Sequence, residues 1–493
     1  MGALLIVLPL IGVLLLNLPF GKKPAGGFAM TLAMVFCLFE AFAVFLGVDQ
    51  FWHQDIAVAD TGLLTTALAS KFFVDDLTLV MFLAIAIVGL SAIWIARYTL
   101  APDSANADES NAKRFRFANL LLLCLAGMNG IVLVRDLFAL YVFLEITAVT
   151  SFILIALEHG KAAFEGAFKY MVLSAVATAL ILGGLALLFI VAGDTSFATV
   201  QAALAKAAAS KLVLVAMALF LVGLSIKAGL VPFHGWLPDA YSSAPAAVSV
   251  LLAGIVTKTT GVYTLIRLAQ VFGLPEPVKH ALLALGALSI VAGALAALTQ
   301  KDFKRMLAYS SISQVGYIVL AMGAADAGEV GKLAIAGAVL HLFNHAIFKT
   351  LLFVNSAAVE VQSGTRDMDQ LGGISVKMPV TGTTSVLAML STAGIPPLSG
   401  FWSKFFILLA VWKAGHEGFA AVGVVASVIT LGYFLSMQRR VFFGKLSESC
   451  KDLKEANLWG LVPALMLAAI TVALGLAVPW LFDTFLIRVG SIL

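Results

Sequence analysis

The stretch VAMALFLVGLSIKAGLVPFHGW, residues 215–236, combines a long apolar run, a lysine inside that run and a proline soon after it. Insertion of a lysine at the centre of a bilayer costs about 2.5–3.5 kcal/mol. We therefore expect that Lys227 is either paired with another group or lines a water-filled path. Pro232 removes a backbone N–H and interrupts a helix, which is tolerated at membrane depth only beside protein or water. The stretch therefore predicts a broken membrane helix that borders a hydrated cavity.

The composition extends this prediction to the whole chain. Of 493 residues, 61% are hydrophobic and 12% are charged, whereas soluble domains carry about 25% charged residues. A membrane span needs about 20 mostly apolar residues. We therefore expect an all-α integral membrane protein with fourteen spans, near residues 3–20, 28–48, 74–96, 117–134, 136–157, 166–192, 211–230, 244–272, 278–299, 303–323, 330–357, 379–413, 419–443 and 458–487.

The same sequence argues against several classes of function. Cys37, Cys124 and Cys450 are far apart and form no CxxC pair, so we expect neither an iron–sulfur cluster nor a thiolate zinc site in this chain. No GxxxxGK[ST] or GxGxxG motif is present and the net charge is only +4, so nucleotide and nucleic acid binding are not expected. Any redox chemistry is then expected only in a partner subunit.

The distribution of basic residues predicts the orientation in the membrane. Lysine and arginine are concentrated in the odd-numbered loops between the predicted spans, as at Lys113–Arg116 and Arg439–Arg440. Such residues are retained on the cytoplasmic side. We therefore expect a multi-pass protein of the cell (inner) membrane with both termini on the non-cytoplasmic side.

Four ionisable side chains inside the spans need a reason: Glu145, Lys227, Lys258 and Lys404. A static Glu145–Lys227 ion pair that joins two helices is the structural alternative. That alternative does not account for Lys258, within LLAGIVTKTTGVY (251–263), or for Lys404, which follows the double proline in GIPPLSGFWSKF (394–405). A chain of titratable groups at similar depth is what a proton relay requires.

His341, His345 and Lys349 are spaced four residues apart, so they lie on one helix face. Two histidines in this spacing can bind zinc, but there is no HExxH glutamate and no evident third ligand, so we do not expect a metal site. A polar path along this face and hydrogen-bonded packing histidines both remain open.

Four further residues carry weaker expectations. His234, between two prolines, either gates the cavity or caps a helix end. Glu40, mid-way along the second span, either faces lipid or a helix interface or has a functional role. Lys169 is expected to extend to the membrane interface, and Asp136 to cap the helix that follows it.

The run from about 115 to 415 resembles the antiporter-like, proton-translocating membrane subunits shared by respiratory complex I (the M and N types), membrane-bound energy-converting hydrogenases and Mrp-type antiporters (the D type). The resemblance is carried by KAGLVPFHGWLPDAYSSAPAAVSVLLAGIVTKTTGVY (227–263), HLFNHAIFKTLLF (341–353) and GIPPLSGFWSKF (394–405). It implies two inverted five-helix repeats, spans 4–8 and 9–13, with spans 7 and 12 discontinuous. The implied division of the chain is 1–116, 117–272, 278–443 and 458–493.

The resemblance also implies a role for each buried group. Glu145 is similar to the family's fifth-helix glutamate and Lys227 to its paired lysine, with Lys258 at the centre and Lys404 at the far end. The groups that bridge the two half-channels are then His341, His345 and Lys349.

The implied function is proton translocation in a redox-driven complex of the NADH:quinone oxidoreductase or membrane-bound hydrogenase type. Such a complex would have no redox centre in this chain and would hold iron–sulfur clusters with flavin or nickel in partner subunits. The alternative is the D-type member of a Mrp Na⁺/H⁺ antiporter, which has no redox chemistry. Both imply other membrane subunits as partners, including further antiporter-like ones, within the lipid bilayer. The transported ion is H⁺, joined by Na⁺ in the alternative.

Overall fold

The fold is known from a computed structural model, which describes residues 3–18, 25–46, 74–100, 107–207 and 210–491. Over these ranges the chain is almost entirely helical. Two π-helical segments, Leu252–Val256 and Lys258–Tyr263, lie between the tenth and eleventh α-helices. The α-helices are α1 (Leu4–Asn17), α2 (Gly26–Leu46), α3 (Asp76–Thr99), α4 (Ala107–Leu133), α5 (Leu137–Ile155), α6 (Lys161–Ala192), α7 (Phe197–Ala207), α8 (Lys211–Ala228), α9 (Trp236–Ser243), α10 (Ala246–Leu251), α11 (Thr264–Phe272), α12 (Glu276–Leu298), α13 (Phe303–Gly323), α14 (Glu329–Ser363), α15 (Pro379–Ala393), α16 (Ser399–Lys413), α17 (Glu417–Val441), α18 (Leu458–Leu481) and α19 (Ile487–Gly490).

The described helices confirm an all-α integral membrane protein. Twelve of them, counting α10 to α11 as one, are long and apolar enough to cross a membrane. The shorter α1 and the broken pair α15 and α16 complete the fourteen spans that hydropathy predicts. The fourth span belongs to a helix that starts ten residues before its apolar run, at Ala107.

The two predicted discontinuous spans are present. Helix α8 ends at Gly229, whose φ of 69° is left-handed, and helical structure resumes at Trp236 as α9. Helix α15 ends in the same way at Gly394, with φ 87°, and α16 begins at Ser399. Glycine adopts this conformation without steric cost, and the prolines that follow each glycine prevent the helix from continuing. At the first break the backbone N–H of Val231 bonds to Oγ of Ser289 at 3.0 Å, so a side chain of α12 replaces a helix carbonyl there.

The most buried helices stand at the centre of the bundle. In each of the spans Ala246–Phe272, Phe303–Gly323 and Glu329–Ser363, 94% of an 18-residue apolar stretch is buried inside the protein. The corresponding share in Lys161–Ala192 is 33%. The long helix α14 packs against α3, α13, α15, α16 and α18. Side chains on these central helices are therefore removed from lipid, whereas α6 lies at the periphery.

Helices α12 and α13 approach each other more closely than side chains normally allow. A Cβ atom at Gly286 would lie 2.6 Å from the backbone nitrogen of Leu320, and one at Gly293 would lie 2.6 Å from that of Ser313. Small residues of this kind let membrane helices pack backbone to backbone. The α12–α13 pair therefore forms a tight support for the polar side chains that α13 presents to the interior.

Candidate functional site

Glu145 and Lys227 meet where α5, α6 and α8 converge. The Nζ atom of Lys227 is 3.3 Å from Oε1 of Glu145 and donates a hydrogen bond to Oγ of Ser174 at 3.2 Å. The hydroxyl of Thr178 donates to the same carboxylate oxygen. The Lys227 side chain is 3% exposed, whereas that of Glu145 is 33% exposed. The lysine is thus enclosed and the carboxylate reaches the surface of the chain.

The sequence positions these groups through simple helix geometry. Lys227 lies in the last turn of α8, where the helix dipole favours a cation. Ser174 and Thr178 are four residues apart on α6, so they lie on one face. These two hydroxyls are not among the residues predicted from the sequence, although their spacing within the apolar part of α6 is a usable signal.

Lys258 begins the second π-helical segment and is fully buried. Its ammonium donates to the carbonyl of Ala253, one irregular turn earlier. The segment packs directly on α8, because a Cβ atom at Gly261 would lie 2.5 Å from the backbone nitrogen of Ala228, the neighbour of Lys227. Single π-turns of this kind are frequent at functional sites. The π-helical segment that carries Lys258 therefore packs on the helix that carries Lys227.

The two histidines and Lys349 lie buried on α14. Nδ1 of His341 is 2.9 Å from Oγ of Ser403, and the rings of His341 and His345 are stacked with centroids 6.1 Å apart. In the described part of the chain, Nε2 of His341 and both ring nitrogens of His345 lack a hydrogen-bond partner. Lys349 donates to the carbonyl of Leu307 at 3.1 Å. Hydrogen-bonded packing thus accounts for only one of four histidine nitrogens.

Lys404 lies just after the break between α15 and α16. Its ammonium has no hydrogen-bond partner among the residues that the structure describes, and it lies 4.6 Å from the ring centroid of Tyr317, a cation–π contact. The side chain borders a cleft of about 480 Å³ between α16 and α17 that includes Gly394. The ammonium thus contacts an aromatic ring, and not a carboxylate, among the described residues.

Electrostatic interactions join these groups into one cluster. Lys258 and Lys404 both act on His341, His345 and Lys349. His341, His345 and Lys349 are therefore within electrostatic range of both lysines. The Glu145–Lys227 pair is linked to this cluster by the packing of its helix backbone on the Lys258 segment, and no direct hydrogen bond connects the two parts within the described residues.

The short helix α9 contacts both parts. Nε1 of Trp236 donates to the carbonyl of Ile226 at 2.9 Å, next to Lys227. The hydroxyl of Tyr241 donates to the carbonyl of Leu252, at the start of the first π-helical segment, at 3.0 Å. These two aromatic residues are not among those predicted from the sequence. Through these two hydrogen bonds α9, which follows the break after α8, contacts both α8, which carries Lys227, and the π-helical region, which carries Lys258.

The weaker expectations have different outcomes. Asp136 caps α5 as predicted, since its side chain accepts from the backbone N–H of Ala139 at 2.8 Å. Lys169, 42% exposed, bonds to Glu165 at 2.6 Å and to Asp239 at 2.7 Å, so it is an ion-pairing residue at a helix end.

His234 and Glu40 are also placed. His234 is half-buried in the break, and α9 begins without a side-chain cap, so His234 does not cap that helix. Glu40 is fully buried, so the interpretation of it as a lipid-facing residue is wrong. Within the described ranges, no group of three or more His, Cys, Asp or Glu residues is arranged to hold a metal ion.

Comparison with known proteins finds one family across the centre of the chain. The family described as NADH:quinone oxidoreductase/Mrp antiporter, TM, matches residues 134–430. The D-type member of the Na⁺/H⁺ antiporter of Alkalihalophilus pseudofirmus is 32% identical over 90% of this chain and 87% of its own length. The N-type member of the NADH-quinone oxidoreductase of Desulforudis audaxviator is 35% identical over 77% of this chain and 74% of its own. A chain of the membrane-bound sulfane sulfur reductase, an archaeal respiratory membrane complex, is 28% identical with a TM-score of 0.86, covering 100% of this chain and 97% of that one.

Proposed function

This chain belongs to the NADH:quinone oxidoreductase/Mrp antiporter transmembrane family, and from that premise we propose that it carries protons across the membrane as a subunit of a multisubunit complex. The observation that carries the proposal is the set of buried lysines without a carboxylate partner among the described residues: Lys258, Lys349 and Lys404. Each costs about 2.5–3.5 kcal/mol at the bilayer centre. An unpaired lysine does not stabilise helix packing enough to offset that cost, whereas a proton relay requires such groups.

The Glu145–Lys227 pair is the switch in this proposal. A nearby carboxylate favours the charged form of a lysine, and burial disfavours it. Lys227 already shares its ammonium between Glu145 and Ser174, so a movement of the carboxylate leaves the lysine a neutral partner. Loss of the anion then favours proton release from Lys227 toward the Lys258 segment that packs on its helix.

Lys258 is the central carrier and the α14 face is the bridge. Neutral imidazole nitrogens both accept and donate protons, and three such nitrogens on His341 and His345 lack partners within the described chain. Lys349 flanks the bridge, and Lys404 receives the proton beside the cleft between α16 and α17. His234 stays a proposed gate, because it lies in the break of the seventh span.

Another membrane subunit is proposed to cover the outer side of Glu145. The neighbouring α5 side chains Phe138, Val142 and Val149 are exposed apolar groups, and the carboxylate lies among them. An ionised group facing lipid is expensive, so we propose a further antiporter-like subunit against this face. We also propose the cell (inner) membrane as the location, with both termini on the non-cytoplasmic side.

A redox-driven complex is the proposed energy source, with iron–sulfur clusters and flavin or nickel in other subunits. A second candidate is the D-type member of a Mrp Na⁺/H⁺ antiporter, favoured by the longer alignment with the antiporter relative, 90% of this chain against 77% for the oxidoreductase relative. Purification of the intact complex separates them. Iron, nickel or flavin in stoichiometric amount supports the first, and a complex of membrane subunits without redox centres supports the second.

The transport role is tested with Lys258→Ala in the assembled complex, reconstituted into vesicles with a pH-sensitive dye inside. We expect most proton translocation to be lost. Lys301→Ala, which changes a lysine that is 76% exposed, is the matched control and is expected to leave transport unchanged. Normal transport by Lys258→Ala would assign the chain a purely structural role.

A further inference from the structure

Glu40 lies on α2, among the N-terminal helices and apart from the relay. Its side chain is fully buried, and neither carboxyl oxygen receives a hydrogen bond from any residue that the structure describes. Cys37, one turn earlier on α2, and Asn129 of α4 lie beside it. An ionised carboxylate in this place would be buried without a hydrogen bond among the described residues, which is unfavourable.

The orientation of Asn129 adds a second observation. Its Nδ2 donates to the backbone carbonyl of Leu5 at 2.9 Å. A carbonyl only accepts, so the amide nitrogen must be the atom that faces Leu5. The other end of the amide, Oδ1, is buried and has no donor within the described chain. Oδ1 of Asn129 and both carboxyl oxygens of Glu40 are thus buried acceptors without a hydrogen bond in the described chain, and the second hydrogen of Nδ2 can satisfy at most one of them.

The helices packed on α2 bring no cation to Glu40. These helices are α1, α3 and α4, and the described parts of α1 and α2 contain no lysine or arginine. Arg116 of α4 precedes Asn129 by thirteen residues, about 20 Å at 1.5 Å per residue. Arg135, beyond the other end of α4, lies 3.5 Å from Asp75. The other basic residues of α3 and α4, all near helix ends, are Arg97, Lys113 and Arg114.

We propose that Glu40 is a neutral carboxylic acid whose hydroxyl donates to Oδ1 of Asn129, so that the two residues form a proton-binding site outside the relay. One proton removes the buried charge and turns the carboxyl into a donor. It also completes an unbroken hydrogen-bond chain from Glu40 of α2, through Asn129 of α4, to Leu5 of α1.

The site is adjacent to the relay through α4. Gly127 and Gly130 flank Asn129, and Cβ atoms at these positions would lie 2.5 Å from Oγ1 of Thr147 and 2.2 Å from the ring of Phe143. These two α5 residues lie two positions after and two before Glu145. The α4 segment that accepts the proposed hydrogen bond from Glu40 thus also packs against α5, which carries Glu145. The proposed site itself does not depend on whether the relay carries protons.

Infrared difference spectroscopy of the intact complex tests the proposal, because a buried carboxylic acid has a C=O stretch that carboxylates lack. We expect one such band in the wild type, its loss in Glu40→Gln, and a shift of the band in Asn129→Ala, which removes the acceptor. Glu417→Gln, at an exposed position, is the matched control and is expected to keep the band.

A spectrum of Glu40→Gln identical to that of the wild type would mean that Glu40 is ionised and would overturn the proposal. The same conclusion follows if the wild-type protein, but not Glu40→Gln, is thermally stabilised by Na⁺ over choline, since the carboxylate would then hold a metal cation. If Glu40→Gln does not assemble, Asn129→Ala decides: an unshifted acid band contradicts the hydrogen bond.

Discussion

The ammonium of Lys227 lies 3.3 Å from Oε1 of Glu145, which is close enough for an ion pair and longer than the 2.7–2.9 Å typical of a charge-assisted hydrogen bond. Each partner has an alternative: the carboxylate accepts from Thr178, and the ammonium donates to Ser174. The two charged groups can therefore separate, because each keeps a hydrogen bond to a hydroxyl when it does.

The first prediction concerns this pair. Glu145→Ala and Lys227→Ala are each expected to reduce proton translocation by about tenfold or more, equivalent to about 1.4 kcal/mol of activation free energy, while the complex still assembles. The reason is that these changes remove the switch and leave the packing of α5, α6 and α8 in place. Dye-monitored transport and native gels measure the two properties. Failure of both variants to assemble would assign the pair a structural role.

A second prediction concerns the far end of the relay. Lys404→Glu is expected to keep partial transport, since the position borders a cleft and a carboxyl group there can still bind and release a proton. Lys404→Met keeps the volume but cannot titrate, and it is expected to abolish transport. Complete loss in Lys404→Glu, with normal assembly, would contradict the terminal relay role.

The third prediction tests the contact of α9 with Lys227. Trp236→Phe removes the N–H that bonds to the Ile226 carbonyl. That carbonyl keeps a second hydrogen bond, from the backbone N–H of Gly229, so the expected cost is that of one hydrogen bond, about 0.5–1.5 kcal/mol. We expect lower thermal stability and slower transport with a changed pH profile. Trp480→Phe, at a site that is 69% exposed, is the control and should change neither. An unchanged pH profile in Trp236→Phe would limit this tryptophan to packing.

The fourth prediction concerns Asp75, at the start of α3, which accepts from Arg267 and lies 3.5 Å from Arg135. Burial opposes its charge, but the two arginines hold the pKa of Asp75 well below its usual range. A lowered native pKa means that the stabilisation is present above the unfolded pKa, about 3.9, and is lost only as the pH falls through the native value. Asp75→Asn is therefore expected to lower thermal stability by a constant amount from about pH 5 to 8.

Asp369 provides the matched control for that variant. It also contacts two cations, Lys301 at 3.1 Å and Arg440, but it is 47% exposed. Exposed pairs contribute little because water and salt screen them. Asp369→Asn should therefore change stability less than Asp75→Asn. Equal effects of the two substitutions would show that burial does not decide the strength of the Asp75 network.

The spans, the two helix breaks and the positions of the buried ionisable groups could be predicted because each leaves a local signal. An apolar run of about 20 residues, a glycine before a proline and a lysine within such a run are visible without knowing the fold. The inner or outer position of a span is not local. Nothing in the α14 sequence distinguishes it from a peripheral helix except its higher polar content.

The polar partners were missed for the same reason. Ser174, Tyr317 and Ser403 lie between 53 and 87 residues from the groups they contact, and serine and tyrosine occur in membrane helices for many reasons. Glu40 is the clearest case. Its sequence context permits a lipid-facing or an interior carboxylate, and only the packing of α1, α3 and α4 around it decides between them.

Lys404 faces the ring of Tyr317 and has no anion beside it among the described residues, which has an electrical consequence. A lysine that is paired with a carboxylate exchanges one neutral arrangement for another when the proton moves along the pair. An unaccompanied lysine changes the net charge of its surroundings by one unit on every protonation and every release. Arrival of a proton at Lys404 should thus displace charge within the membrane field, and the step should be detectable as a transient capacitive current before any proton has crossed.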